Sequence, residues 1–288
     1  MYLPPDPQWL RALLNEDCPG LDLTVDLLRI GAQRGVMTFA PKADCVLGGA
    51  DEAAWLLRDQ GLAVTATAGN GARPRGGEVF LTARGAAADL HRCWKACQSL
   101  MEYMSGIAGR AALMVERARA ANPRVQVAVT RKNLPGAKRV CLEAACCGGA
   151  TVHRQGLSDS ILIFAQHRAF LADGGAKALA AHWEQWRQAM PERKIAVEVD
   201  TPEEALLLAR AGADVIQCEK FPLPVLTETV RALRAAAPAI TILAAGGVNG
   251  DNAAAYAATG VDVLVTTWPY FGRPADIKVV MRAACGAE

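Results

Sequence analysis

The sequence predicts an α/β protein in which a small N-terminal α/β domain precedes a seven-stranded parallel α/β barrel. Two observations carry this reading. From Val125 onward, short apolar runs alternate with helical stretches, and near-continuous apolar runs suit parallel strands covered on both faces. Before Val125 the texture differs, with short β-rich runs and helices punctuated by Gly and Pro.

Pro7–Asn15 begins the chain as a short helix. Gly35–Phe39, Leu62–Ala68 and Glu78–Thr82 read as strands, and Glu52–Gln60 as a helix stopped by Gly61. A long helical stretch from Ala86 to about Ala121, softened at Ser105-Gly106, bridges the two halves. The barrel strands are Val125–Val129, Ala150–Val152, Ile161–Phe164, Ile195–Val199, Val215–Gln217, Ile240–Ala244 and Val263–Thr267. Ala176–Met190, Pro202–Ala211 and Leu226–Ala236 are helices between them. Seven strands favour a barrel over an open doubly wound sheet. The expected division is 1–110 for the first domain and 111–270 for the barrel, with a C-terminal helix over 271–288 packing back on the first domain.

The 288 residues carry a formal net charge of +2, which gives no global electrostatic case for nucleic acid or a membrane surface. No apolar run is long enough to span a bilayer. The N-terminus, MYLPPDPQW, lacks the basic and apolar regions of a signal peptide. The nine cysteines include the adjacent pair Cys146-Cys147 and form no zinc pattern. They read as small apolar thiols in the core of a cytoplasmic protein.

Barrels place reactive groups at the C-terminal ends of their strands. Here those ends are charged or glycine-rich. Arg131 and Lys132 follow the first strand, and His153 and Arg154 the second. Two basic pairs at neighbouring strand ends imply an anionic ligand, since Arg grips carboxylate or phosphate with a planar fork and Lys supplies a compact charge. Glu198 and Glu219 end later strands and suit Mg²⁺ carrying substrate phosphates. Asp200 precedes Thr201-Pro202 and reads as a helix cap. Gly246-Gly247-Val248 follows a strand and opens a helix, where backbone N–H groups can meet a phosphate.

Several segments, in order, resemble the quinolinate phosphoribosyltransferase (nicotinate-nucleotide pyrophosphorylase) family. They are Ser105-Gly106-Ile107-Ala108, Thr130-Arg131-Lys132 with Pro135-Gly136, Gly148-Gly149-Ala150 leading to His153-Arg154, Val197-Glu198-Val199-Asp200, and Gly246-Gly247-Val248. Within the family the chain looks most like the ModD branch, associated with molybdenum transport operons. The resemblance implies an N-terminal α/β sandwich, a TIM-like seven-stranded barrel and a homodimer. It also implies Mg²⁺-dependent transfer from phosphoribosyl pyrophosphate to a heterocycle, with release of pyrophosphate. Arg131, His153 and Arg154 would then face the heterocycle, with Lys132 at its edge or at the phosphates. Glu198 and Glu219 would serve the ribose and Mg²⁺, and Gly246, Gly247 and Val248 the 5′-phosphate.

The departures from the family pattern are specific. Phe164 stands where a carboxylate-pairing lysine is usual, and Lys95 where an arginine reaches in from the neighbouring subunit. Glu219-Lys220 replaces an Asp-Asn pair, and Ala245 replaces a serine. Leaving one substrate carboxylate unpaired in a desolvated pocket costs on the order of 2–5 kcal/mol. The expected acceptor therefore carries less negative charge than quinolinate. The alternative expectation is a non-catalytic binder of a small anion or nucleotide, linked to molybdenum handling.

Overall fold

The computed structural model describes residues 4–284. Its first elements are α1 (Pro7–Asp17), α2 (Leu23–Leu27), β1 (Arg34–Pro41), α3 (Ala50–Asp59), β2 (Ala63–Ala66), β3 (Leu81–Ala86), α4 (Ala87–Ala121), β4 (Gln126–Val129) and α5 (Lys138–Cys147). There follow β5 (Thr151–Val152), β6 (Ile161–Ile163), α6 (Ala165–Arg168), α7 (Ala176–Ala189), β7 (Ile195–Val199) and α8 (Pro202–Arg210). The last are β8 (Val215–Glu219), α9 (Leu223–Ala236), β9 (Thr241–Ala245), α10 (Ala253–Ala258), β10 (Val263–Thr266) and β11 (Ile277–Ala283). None of these helices is long and apolar enough to cross a membrane. The cysteines among the described residues are free thiols.

The chain forms two compact units. One contains the residues up to Ala112, Leu134–Gly149 and the stretch from Pro269; the other contains Leu113–Asn133 and Ala150–Trp268. The segment 134–149, expected in the barrel, thus groups with the first unit.

In the first unit, helices start where short polar side chains can take their orphan amides. Asp6 accepts the N–H groups of Gln8 and Trp9, and Asp22 those of Thr24 and Val25. The antiparallel sheet runs β11-β1-β3-β2. Along β1, burial alternates with period two, and Met37 and Phe39 are fully buried. The helix expected over 271–288 is instead the strand β11, which pairs with β1 from Ile277 opposite Pro41 to Ala283 opposite Gly35. Its run Ile-Lys-Val-Val-Met is rich in β-branched residues and finds a ready partner in β1. Residues 285–288 of that expected helix lie outside the described residues.

Helix α4 runs unbroken through Ser105-Gly106. These small residues permit a close approach and do not break the helix. A Cβ on Gly106 would lie 2.8 Å from the carbonyl oxygen of Arg273, and Ser105 Oγ accepts the N–H of Gly48 at 3.1 Å. Nearby, Asn70 joins α3 to α5. Its Oδ1 accepts the N–H of Ala50 at 2.8 Å, and its Nδ2 donates to Glu52 at 3.0 Å and to Glu143 at 3.4 Å. Both glutamates are buried. Burial first, and then the neighbouring Glu52, push the Glu143 carboxyl up to about 7.

In the second unit, seven parallel strands follow the order β5-β4-β10-β9-β8-β7-β6. The sheet curls into a half-barrel, and among the described residues β5 and β6 at its two ends do not pair. Helices α7, α8, α9 and α10 connect successive strands from β6 to β10. Val127, Val129, Val197, Val199, Ile216, Ile242 and Leu264 are all buried, which explains the unbroken apolar runs. At the N-terminal ends of the strands, acidic residues act as clamps. Asp214 accepts the N–H of Ile195 at 2.8 Å, and Asp262 that of Ile242 at 2.7 Å. The opposite rim has a different use.

Candidate active site

Beyond the C-terminal ends of β4 to β10 lies a cavity of about 920 Å³. Every site residue expected in the barrel lines it: Arg131, Lys132, His153, Arg154, Phe164, Glu198, Glu219, Gly246, Gly247 and Val248. They converge because strand ends in a parallel sheet share one rim, though the residues are scattered over more than a hundred positions.

The first wall is basic. Thr130 Oγ1 accepts the N–H of Lys132 at 3.2 Å and lies 3.0 Å from Thr267 Oγ1, fixing the loop after β4. The His153 N–H donates to Val129 O at 3.0 Å, so His153 continues the line of β5. Burial, with Arg154 adding to it, pushes the His153 imidazole below its ordinary value, which leaves it neutral at pH 7. Arg154 is itself buried. Burial and the nearby Arg131 lower its affinity for a proton without discharging it.

Phe164 ends the approach from β6. Its ring centroid lies 5.3 Å from the Arg154 guanidinium carbon and 5.7 Å from the His167 ring, which is nearly parallel to it. The Phe164 N–H donates to His167 Nδ1 at 2.9 Å. The phenyl ring therefore packs against both the Arg154 guanidinium and the His167 ring, and its π-face acts on Arg154.

The facing wall is acidic. Glu198 accepts from Gln217 Nε2 at 2.7 Å through one oxygen. Burial is the main cause that raises the Glu198 carboxyl; the Gln217 hydrogen bond opposes it, and Glu219 and Asp200 add to it. Asp200 lines the cavity and is not the helix cap that its sequence context suggests. Thr201 takes that role, accepting the N–H of Glu204 at 3.2 Å. Gln217, which the sequence reading passed over, is buried and carries an unpartnered Oε1. Its signal was present: in β8, Gln217 and Glu219 are two apart and project to one side.

The third wall is the turn after β9. Gly246 and Gly247 both have left-handed backbones, with φ of 86° and 78°. A Cβ on Gly246 would meet Glu219 Oε1 at 2.7 Å, whereas one on Gly247 would stand in open space. The Nδ2 groups of Asn249 and Asn252 donate to Gly247 O and hold the turn. Helix α10 starts only at Ala253 and is six residues long. The turn's own amides, not a helix end, are what this wall offers an anion.

Lys95 does not line the cavity. It lies on α4 in the first unit, where its ammonium is 3.1 Å from Gln98 Oε1 and 4.3 Å from the centre of the Trp94 ring.

Known protein families match this chain along both of its halves. Residues 22–105 match the N-terminal domain of quinolinate phosphoribosyl transferase, and residues 107–280 its C-terminal domain. The chain is 44% identical over 247 residues to the "Putative pyrophosphorylase ModD" of Rhodobacter capsulatus, covering 85% of this chain and 93% of that one. It is 31% identical over 260 residues to the nicotinate-nucleotide pyrophosphorylase [carboxylating] of Mycobacterium leprae, covering 88% and 89% of the two chains. The fold matches that of the nicotinate-nucleotide pyrophosphorylase from Francisella tularensis with a TM-score of 0.86 at 21% identity, over 96% of this chain and 95% of that one. With both halves matched, this chain belongs to the quinolinate phosphoribosyltransferase family.

Proposed function

We propose that this protein transfers the phosphoribosyl group of phosphoribosyl pyrophosphate to a ring nitrogen of a small heterocycle less anionic than quinolinate. The observation that supports this is the division of one cavity into a basic wall, an acidic wall and a two-glycine turn. In the reaction, the heterocycle nitrogen forms a bond to C1 of the ribose. The C1–oxygen bond breaks, and pyrophosphate leaves with the electron pair.

The chain's own groups divide the work. Arg131 and Arg154 hold an anionic edge of the acceptor, with neutral His153 beside them and Lys132 balancing charge toward the phosphates. The amides of the Gly246–Val248 turn receive the 5′-phosphate. Glu198 and Glu219 face the ribose, where a carboxylate stabilises positive charge developing at C1. Catalysis is then mainly positioning and preorganised charge.

Mg²⁺ fits this donor set. Among the described residues no group of three or more His, Cys, Asp or Glu is gathered to hold a metal. Mg²⁺ carried on a diphosphate, however, needs only one or two carboxylates. Glu198 and Glu219 are the residues that would hold it, and the ion would neutralise the departing pyrophosphate. As a homodimer, the protein would offer Lys95 to its neighbour's cavity.

The acceptor follows from Phe164. With no lysine at this position, a second carboxylate would be left unpaired. Pyrophosphate release, followed with phosphoribosyl pyrophosphate and a panel of heterocycles, tests the proposal. A monoanionic or neutral acceptor should be used and quinolinate used poorly. Efficient turnover of quinolinate would refute the acceptor assignment, and failure to bind phosphoribosyl pyrophosphate would refute the transfer itself.

A further inference from the structure

Lys220 follows β8 with φ of 54°, a left-handed backbone that a side chain bearing a Cβ adopts at a cost. Among the described residues only Arg29 shares this conformation without being glycine. At Lys220 the surroundings impose it. The Lys220 N–H donates to Ala245 O at 2.8 Å, which ties the residue to the end of β9. Phe221, the next residue, is buried, and Pro222 then caps α9.

The side chain is directed by the same constraint. Lys220 Cγ occupies the space where a Cβ on Gly246 would be, 2.4 Å from that position. The stem therefore lies against the first glycine of the turn. From there Nζ reaches to 3.5 Å of Glu219 Oε1, a long contact, and the side chain stays 76% exposed. A backbone strained at a cavity wall is an outlier that calls for a function. An exposed ammonium beside bare turn amides has the chemistry of a phosphate site, because Lys supplies a compact charge with three donors.

We infer that Lys220 is an anion-binding residue whose ammonium serves a phosphate group seated at the Gly246–Gly247 turn. It leans on Glu219 when the turn is empty and turns to the phosphate when the turn is filled. This inference rests on the phosphoribosyl reading above, and names one more residue that holds the donor.

The test uses the full chain with phosphoribosyl pyrophosphate and, separately, inorganic phosphate as calorimetric probes. Lys220→Asn and Lys220→Gly both suit a left-handed backbone, so both should fold, and Lys220→Gly should melt at a higher temperature than the parent. Each should bind both probes at least about tenfold more weakly, the size expected for one charge-assisted hydrogen bond. Lys220→Arg should retain most of the affinity. Parent-like binding by the Asn and Gly variants would overturn the inference and leave the transfer reading intact. A parent protein that binds no phosphoribosyl pyrophosphate would sink the transfer reading. In that case weaker phosphate binding by the variants would still support Lys220, and unchanged binding would overturn it.

Discussion

The guanidinium carbon of Arg154 stands 5.3 Å from the centre of the Phe164 ring, so an aromatic face steadies a buried cation at this wall. A lysine at 164 would instead place a second positive charge beside a buried arginine. Phe164→Lys should therefore raise quinolinate affinity by about tenfold or more, since a second carboxylate gains its counter-ion. Phe164→Leu should weaken binding of the native acceptor by only a few-fold, through loss of a cation–π contact of about 1 kcal/mol. Titration of Phe164→Lys with quinolinate, and of Phe164→Leu with the heterocycle that the turnover panel identifies as acceptor, checks the pair of outcomes.

Gln217 sets the behaviour of Glu198. Its amide donates to one carboxylate oxygen at 2.7 Å and opposes the burial that raises the carboxyl. Gln217→Leu removes the donor and keeps the bulk. The Glu198 carboxyl should rise further, so the acid limb of the pH–rate profile should move to higher pH. The loss at neutral pH should be about tenfold, from a hydrogen bond to a charged group. An unshifted acid limb would show that Glu198 does not govern it.

The Glu52–Glu143 pair makes stability depend on pH. The Glu143 carboxyl is raised in the folded state to about 7, whereas an unfolded glutamate titrates near about 4.3. The folded state therefore holds a proton that the unfolded state releases. This contribution is fully present below the unfolded value and is lost as pH rises through about 7. Melting temperature should fall between pH 5 and pH 8. Glu143→Gln, which is neutral throughout, should flatten that dependence and melt higher than the parent at pH 8.

Gly246 is held by sterics and by backbone conformation together. Gly246→Ala adds a Cβ 2.7 Å from Glu219 Oε1 at a φ of 86°. The strain should lower stability by about 1–2 kcal/mol, as read by denaturant unfolding. Weaker pyrophosphate binding should accompany it, because Glu219 and Lys220 must both shift.

Much of the fold and of the site is legible in the amino-acid sequence. Ile195–Val199 is the strand the apolar run marks, and Arg131, His153, Glu198 and Gly246 reach one cavity because strand ends share a rim. What was missed has physical causes. Asp200 beside Thr201-Pro202 has the look of a cap, but a hydroxyl one residue later takes the amide. Gln217 is polar within an apolar run, and only the two-residue period aligns it with Glu219. Helix α5 carries buried Glu143 beside apolar and thiol side chains, so its mixed pattern hid a helix. The C-terminal run became a strand because β1 offered it an edge, which local sequence cannot report.

The first unit is stitched from three separate stretches of chain. A fragment ending near residue 112 would lack β11 and leave β1 as an open edge, with the backbone groups that β11 now occupies free to pair with other chains. It would also lose α5, and with it the partner that Asn70 and Glu52 find in Glu143. The unit is contiguous in space but not in genetic order. Cutting the chain at the apparent domain boundary would therefore yield aggregation-prone halves, while complementation by co-expressed fragments would require the last strand to be supplied in trans.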